Sequence, residues 1–138
     1  MGAKFRYKCD RCGYSVSTSG PWEFYRDSKG NRKPYGHPVP TSEEAKQRGI
    51  YGLSGEFYCP KCDKIFDLVL LEFTKPSQDS LMVWAGRCEP RDEFKQEDAI
   101  RCPECGSSNI ILETSKNREV LCPRCKAGKL LGEIEWIS

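Results

Sequence analysis

Cys102-Pro-Glu-Cys105-Gly and Cys122-Pro-Arg-Cys125-Lys, which are 16 residues apart, contain two of the four Cys-x-x-Cys pairs in this chain. The other two pairs are Cys9-Asp-Arg-Cys12-Gly and Cys59-Pro-Lys-Cys62-Asp, and Cys88 stands alone. Two thiols three residues apart can bind one ion when the chain between them makes a tight turn, which we call a knuckle. The four pairs therefore indicate metal binding.

Two other uses of cysteine fit this chain less well. A disulfide framework needs an oxidising compartment and would leave an odd thiol, and the segment 1–10 has no apolar signal region. A redox-active pair is expected beside a βαβ pattern, which is absent. Four pairs instead match two closed sites of four thiolates each. We therefore predict two Zn²⁺ ions, with the ligands Cys9, Cys12, Cys59, Cys62, Cys102, Cys105, Cys122 and Cys125.

The spacing of the pairs suggests which of them share an ion. The last two pairs fit the zinc pattern in which about 15–20 residues separate two Cys-x-x-Cys units. We therefore expect the pairs at 102–105 and 122–125 to form one site, on a hairpin that turns near residues 116–117. By elimination, the pairs at 9–12 and 59–62 form the other site across a 46-residue insertion. An interleaved arrangement, in which the two sites exchange ligands, stays open at this stage.

The residue after each second cysteine influences the shape of its knuckle. Gly13 and Gly106 suit a left-handed conformation, in which backbone N–H groups point at sulfur. Asp63 and Lys126 take the equivalent places in the other two knuckles. A residue with a side chain costs about 1–2 kcal/mol in that conformation, so we expect a looser turn at Lys126.

At these motifs, CDRCGY at 9–14, CPKC at 59–62, CPECGS at 102–107 and CPRC at 122–125, the chain resembles the zinc-ribbon and rubredoxin-like families. The resemblance covers the knuckles and the C-terminal hairpin. It implies paired knuckles on short antiparallel strands that hold a structural zinc or an iron tetrathiolate, and it implies no particular activity. We expect a small, mainly β fold stapled by metal, with two zinc-ribbon units at 1–90 and 91–138 and the long insertion in the first.

The remaining pattern predicts a few regular elements. Alternating residues predict strands at 5–8 and near the C-terminus from residue 129. A continuous apolar run predicts a long strand at 64–74 that is buried on both faces, paired with a short strand at 81–85. Capping residues predict a helix at 42–48, and further predictions are a hairpin at 29–32 and a short helix or linker at 92–98.

Residues 22–37 interleave aromatic and basic side chains. Residues 1–58 hold ten of the fifteen aromatic residues and a charge of +4, from ten Lys and Arg against six Asp and Glu. Aromatic rings can stack on bases while cations meet phosphates, so this segment is a candidate surface for single-stranded nucleic acid or a protein. The alternative, favoured by the lack of a basic run, is that Trp22, Phe24 and Tyr25 form a small core. The candidate partner-binding residues are Trp22, Tyr25, Arg26, Arg32, Lys33, Tyr35 and His37.

Several function classes are disfavoured. The net charge is +2, and each zinc tetrathiolate adds −2, so the loaded chain comes to −2 and its pI of 8.0 is no argument for nucleic acid. Cys88 has no base near it in the sequence, since His37 is the only imidazole. We expect Cys88 to be an incidental thiol and His37 to be a hydrogen-bonded loop residue.

The chain also lacks the usual signs of an enzyme. The carboxylates at 89–98 show no paired acid–base spacing, and neither a phosphate-binding loop nor a hydrolase motif is found. No apolar stretch approaches the roughly 20 residues of a membrane helix. We therefore expect a non-catalytic cytoplasmic adaptor that binds a macromolecule, without a small-molecule substrate. An iron electron carrier at the N-terminal site, where Cys12-Gly13-Tyr14 resembles rubredoxin, is the alternative.

Overall fold

The computed structural model describes residues 2–36, 39–95, 100–108, 110–111 and 120–137. Strands dominate this part of the chain, as expected for a mainly β fold. The elements are β1 (Ala3–Cys9), β2 (Ser15–Gly20), β3 (Trp22–Arg26), β4 (Arg32–Pro34), α1 (Glu43–Arg48), β5 (Ile50–Cys59), β6 (Lys64–Ser77), α2 (Ser80–Trp84), a 3-10 helix (Asp92–Phe94), β7 (Val120–Leu121) and β8 (Lys129–Ile137). No helix among these described residues is long and apolar enough to cross a bilayer.

The chain divides into two compact units, and each unit is assembled from separate segments. Of the described residues, the cysteine unit comprises 2–20, 55–68, 100–108, 110–111 and 120–137, and the insertion unit comprises 21–36, 39–54 and 69–95. β5 and β6 contribute residues to both units. These units alternate along the chain, whereas the sequence predicted one boundary at 90/91.

One antiparallel sheet, with strand order β2-β1-β8-β7, forms the centre of the cysteine unit. Along β1, Lys8 lies opposite Ser15 of β2, and Cys9 lies opposite Leu130 of β8. The first strand of the protein is therefore hydrogen-bonded to the last one. The main core cluster of this unit contains the buried side chains Tyr7, Cys9, Val16, Tyr58, Ile111, Val120, Cys122 and Leu130.

The second sheet has the strand order β4-β3-β5-β6. The hairpin of β3 and β4 confirms the predicted turn, because Asp27 Oδ1 accepts hydrogen bonds from the backbone N–H groups of Lys29 and Asn31, both at 2.9 Å. The predicted strand at 64–74 extends to Ser77, but most of its side chains are partly exposed, so burial on both faces was a wrong prediction. The core of the insertion unit contains Tyr25, Tyr35, Ala45, Ile50, Phe73 and Val83.

The two helices test the predictions made from capping residues. α1 confirms the helix at 42–48, with Ser42 Oγ accepting from the Ala45 N–H at 3.1 Å. The predicted strand at 81–85 is wrong, because this segment forms α2. Asp79 Oδ1 accepts from the Leu81 N–H at 2.9 Å and begins a helix, which an apolar run alone does not distinguish from a strand.

A buried carboxylate, that of Glu72, forms hydrogen bonds with arginines from two separate segments of the insertion unit. Glu72 on β6 is only 6% exposed and accepts hydrogen bonds from Arg26 Nη2 at 2.7 Å and Arg91 Nη1 at 2.8 Å. Burial by itself raises the pKa of Glu72, but the hydrogen bonds and charges of the two arginines outweigh it and hold that pKa below its ordinary value. Glu72 is therefore an ionised group whose partners come from β3 and from the segment after α2.

Some predicted features lie outside the described residues. These are the turn at 116–117 of the C-terminal hairpin, the side chain of His37, and residues 96–98 of the predicted helix or linker. Residues 92–94 of that linker form the 3-10 helix. The predicted strands at 5–8 and from residue 129 are confirmed as β1 and β8.

Candidate metal centres

Among the described residues, the paired cysteines form two groups of four, both within the cysteine unit. Tetrad A is Cys9, Cys12, Cys122 and Cys125, and tetrad B is Cys59, Cys62, Cys102 and Cys105. The pairing of neighbouring Cys-x-x-Cys units along the sequence was therefore wrong. The two sites exchange ligands, as the alternative allowed, but in a nested order: the outer two pairs form tetrad A and the inner two pairs form tetrad B.

Strand pairing explains this exchange of ligands. β1 lies against β8, so the knuckle that follows β1 meets the knuckle between β7 and β8. The backbone N–H of Asp10 donates to Lys129 O at 3.1 Å at this junction. For tetrad B, Tyr58 and Ile111 exchange two backbone hydrogen bonds, of 3.3 and 2.8 Å, which bring the ends of two distant segments together. A pattern of spacings along one chain cannot show these long-range pairings.

The distances within each tetrad fit a tetrahedral metal site. In tetrad A the sulfurs of Cys9 and Cys125, and those of Cys12 and Cys122, are 3.6 Å apart. In tetrad B the corresponding distances are 3.6 Å for Cys59–Cys105 and 3.7 Å for Cys62–Cys102. A tetrahedron with metal–sulfur bonds of about 2.3 Å has edges of about 3.8 Å, whereas a disulfide brings its sulfurs to about 2.05 Å. Each tetrad could therefore hold one metal ion.

All four knuckles adopt the same turn. The residues after the second cysteines have positive φ angles, which are 77° at Gly13, 54° at Asp63, 71° at Gly106 and 57° at Lys126. The backbone N–H of Lys126 donates to Cys122 O at 3.0 Å, close to the 2.9 Å of the Gly106 knuckle. The looser turn expected at Lys126 is not observed.

Backbone N–H groups point at two sulfurs of tetrad A. Cys9 Sγ accepts from Arg11 N and Cys12 N, both at 3.4 Å, and Cys125 Sγ accepts from Gly128 N at 3.3 Å. A Cβ atom at Gly128 would collide with the sulfur of Cys9, so this position requires glycine. Gly128 was not predicted as a site residue, because no spacing rule for metal ligands includes this position.

The pKa values of the thiols reflect four sulfurs crowded together. Backbone N–H groups lower the pKa of Cys125 to about 6, and similar bonds outweigh burial and lower the pKa of Cys102 to about 7. The neighbouring sulfur of Cys105, together with burial, raises the pKa of Cys62 to about 12. At Cys12 the N–H of Tyr14 lowers the pKa, but burial and adjacent sulfurs outweigh it and raise the value to about 12. Each tetrad thus combines an acidic thiol with one that keeps its proton until a cation offsets the charge.

A network of polar side chains lies beside the tetrads. Asp63 accepts hydrogen bonds from Tyr58 and Tyr14 and forms an ion pair with Arg124. The Tyr58 hydroxyl is the main reason that the pKa of Asp63 lies below its ordinary value, and Tyr14 and Arg124 lower it further. From the sequence, Asp63 was predicted only to replace a knuckle glycine, and its contacts with Tyr14 and Arg124 were not predicted.

The candidate partner-binding residues do not form one exposed surface. Tyr25 and Tyr35 are 4% and 7% exposed in the core of the insertion unit, so their rings have no free face for a partner. Phe24 is buried as well, which agrees with the core alternative for this segment. The others lie in different settings: Arg26 pairs with Glu72, Trp22 and Arg32 are half-buried, and Lys33 is exposed beside Asp27.

The remaining thiol is separate from both tetrads. Cys88 is half-buried and packs against the core of the insertion unit.

Comparison of the chain with protein-family models, with curated proteins and with solved structures finds no match.

Proposed function

We propose that this protein is a non-catalytic zinc-binding adaptor. Two structural Zn²⁺ ions, one in each four-cysteine tetrad, hold a zinc-ribbon-like cysteine unit together. The insertion unit and the exposed surfaces present binding sites to a macromolecular partner. This proposal depends on the arrangement of the tetrads more than on any other feature.

The observation that carries the proposal is that each tetrad joins distant parts of the chain. Cys12 and Cys122 are 110 positions apart, and Cys59 and Cys105 are 46 positions apart. Closing such loops costs conformational entropy, which a bound ion offsets. Structural zinc in small domains supplies about 10–16 kcal/mol of apparent binding free energy that is coupled to folding. Ions in these positions would act as the main long-range cross-links of the cysteine unit.

The ligand set favours a structural role over a catalytic one. Four thiolates fill a tetrahedral coordination sphere and leave no open position for a water molecule, as is typical of structural zinc sites.

An iron tetrathiolate with a rubredoxin-like electron-carrier function is the second candidate. The sequence placed this electron-carrier alternative at the N-terminal site. Two ligands of that predicted site, Cys9 and Cys12, lie in tetrad A. The N–H groups directed at Cys9 and Cys125 favour it, since such bonds tune the potential of iron–sulfur centres.

Metal analysis tests the proposal directly. We expect two zinc ions per chain and no visible absorption in protein purified without a tag or added metal. Growth in iron-rich medium should not change this result, which controls for misloading by the host. One iron per chain with a red, reducible chromophore would show the electron carrier instead.

The surface favours a protein partner over single-stranded nucleic acid. Burial of Tyr25 and Tyr35 removes stacking rings from the segment that carried the nucleic-acid hypothesis. On α2, Leu81 and Met82 are 72% and 37% exposed, which is the kind of apolar surface that proteins bind.

We expect no saturable binding of a fluorescently labelled single-stranded oligonucleotide at low ionic strength, as measured by anisotropy. Binding that weakens steeply with salt would contradict this expectation, because salt dependence is the signature of phosphate contacts. Lys33→Glu serves as the companion variant. A loss of binding in this variant would place the nucleic acid on the aromatic-basic segment.

A further inference from the structure

Asp63 is contacted by residues from the knuckles of both tetrads. It directly follows Cys62 of tetrad B, and its partner Tyr58 directly precedes Cys59 of the same tetrad. Tyr14 and Arg124 belong to the knuckle segments of tetrad A, since Tyr14 lies two residues after Cys12 and Arg124 lies between Cys122 and Cys125. All of these residues belong to the cysteine unit.

The contacts use both oxygens of the carboxylate. Asp63 Oδ1 accepts from the Tyr14 hydroxyl at 2.8 Å and from the Tyr58 hydroxyl at 2.5 Å. Asp63 Oδ2 lies 3.0 Å from Arg124 Nη2. The guanidinium of Arg124 also lies over the Tyr14 ring, 5.0 Å from its centroid. Tyr14 and Arg124, from the knuckle segments of tetrad A, thus contact one another. Both also contact the Asp63 carboxylate, which directly follows a cysteine of tetrad B.

We propose that Asp63 is a positioning residue that couples the two metal sites, so that an ion bound in one tetrad favours binding in the other. This inference rests on the proposed function, in which the tetrads bind metal. It adds a relation between the two sites that neither tetrad shows alone.

The physical basis is the shared cost of ordering the knuckles. Asp63 has φ 54°, and its N–H donates to Cys59 O at 2.8 Å, so its place is defined by the turn of knuckle 59–62. Tyr14 is placed by the hydrogen bond from the Cys9 N–H to its carbonyl oxygen at 2.7 Å, and Arg124 lies within the other knuckle of tetrad A. When an ion fixes either tetrad, it also fixes one side of this network. The second ion then binds to knuckles whose partners are already in position, which is a coupling free energy between sites.

Asp63 is also an informative choice for the left-handed position. The equivalent residues Gly13 and Gly106 reach the same conformation without the cost of a side chain. Glycine would relieve strain at residue 63 and would remove the carboxylate. Asp63→Gly therefore separates the formation of the knuckle from the contact with tetrad A.

The experiment is a zinc titration of the metal-free, reduced full-length chain, followed by native mass spectrometry. Independent, equal sites give one half of the molecules with a single ion at half-saturation, and unequal independent sites give more. For wild type we expect coupling of about 10–100-fold, which lowers the singly loaded fraction to between about one quarter and one tenth. In Asp63→Gly the fraction should rise to one half or above, and in Tyr14→Phe, which keeps the ion pair of Arg124 with Asp63, it should rise above the wild-type value; both variants should still bind two ions.

Glu104→Gln is the matched control. Its ion pair with Lys64, at 3.1 Å, joins two knuckles of the same tetrad, so the singly loaded fraction should stay at the wild-type value. A wild-type fraction of one half or more would overturn the coupling, as would an Asp63→Gly variant that is as cooperative as wild type. A chain that takes up no zinc would instead overturn the proposed function, and the coupling with it.

Discussion

Replacing Cys9 and Cys125 together by serine is expected to lower the metal content from two ions per chain to one. The two sulfurs are 3.6 Å apart in tetrad A, so both changes remove ligands from the same ion. Tetrad B keeps its four thiolates in this variant. Elemental analysis, with the protein concentration from amino-acid analysis, measures the stoichiometry.

A second double variant of the same chemistry provides the contrast. Cys9→Ser with Cys59→Ser removes one ligand from each tetrad, so we expect both ions to be lost or bound far more weakly. Pairing of neighbouring Cys-x-x-Cys units would reverse the two results. If Cys9→Ser/Cys59→Ser retained one firmly bound ion while Cys9→Ser/Cys125→Ser retained none, the nested arrangement would be wrong.

Glu72→Gln is expected to destabilise the protein by about 2–3 kcal/mol at neutral pH, because Arg26 and Arg91 lose a buried, charged acceptor. Urea unfolding followed by tryptophan fluorescence measures the loss of free energy. Glu44→Gln is the control, since Glu44 is 47% exposed and pairs with Arg48 at the surface. That control should change stability by less than about 0.5 kcal/mol.

The same residue predicts a pH dependence. The pKa of Glu72 is lower in the folded protein than its ordinary value of 4.5. Its contribution is therefore fully present above the unfolded-state pKa and is lost as the pH falls through the lowered, folded-state pKa. The difference in the free energy of unfolding between wild type and Glu72→Gln should therefore shrink when urea unfolding is carried out at pH values below 4.5. A difference that stayed constant down to the acid transition would contradict this assignment.

The local chemistry of the metal sites was predictable from the sequence. A Cys-x-x-Cys spacing fixes two sulfurs on one turn, and glycine at positions 13 and 106 favours the left-handed residue that completes it. The cap at Ser42 and the turn around Asp27 are local in the same sense, because the partners in each hydrogen bond lie within a few residues. These features were predicted because they involve only nearby parts of the chain.

The predictions that failed depended on distant residues or on competing local signals. The strand predicted at 81–85 is a helix because Asp79 caps it, a signal that the apolar run obscured. Tyr25 and Tyr35 were candidates for a binding surface, but both are buried in the core of the insertion unit, which agrees with the favoured core alternative for Tyr25. Composition shows that aromatic residues are present, and packing decides which of them face solvent.

The sequence by itself determined that eight cysteines would lie in four knuckles with the spacing of metal ligands, since ligand type and three-residue spacing are local properties. Only the tertiary structure decided which knuckles come together as a group of four. That choice follows from the pairing of β1 with β8 and from the Tyr58–Ile111 bridge, which join residues far apart in the chain. The same long-range contacts place Tyr14 and Arg124 beside Asp63, because a knuckle can present its side chains to another knuckle only after the strands have brought the two together.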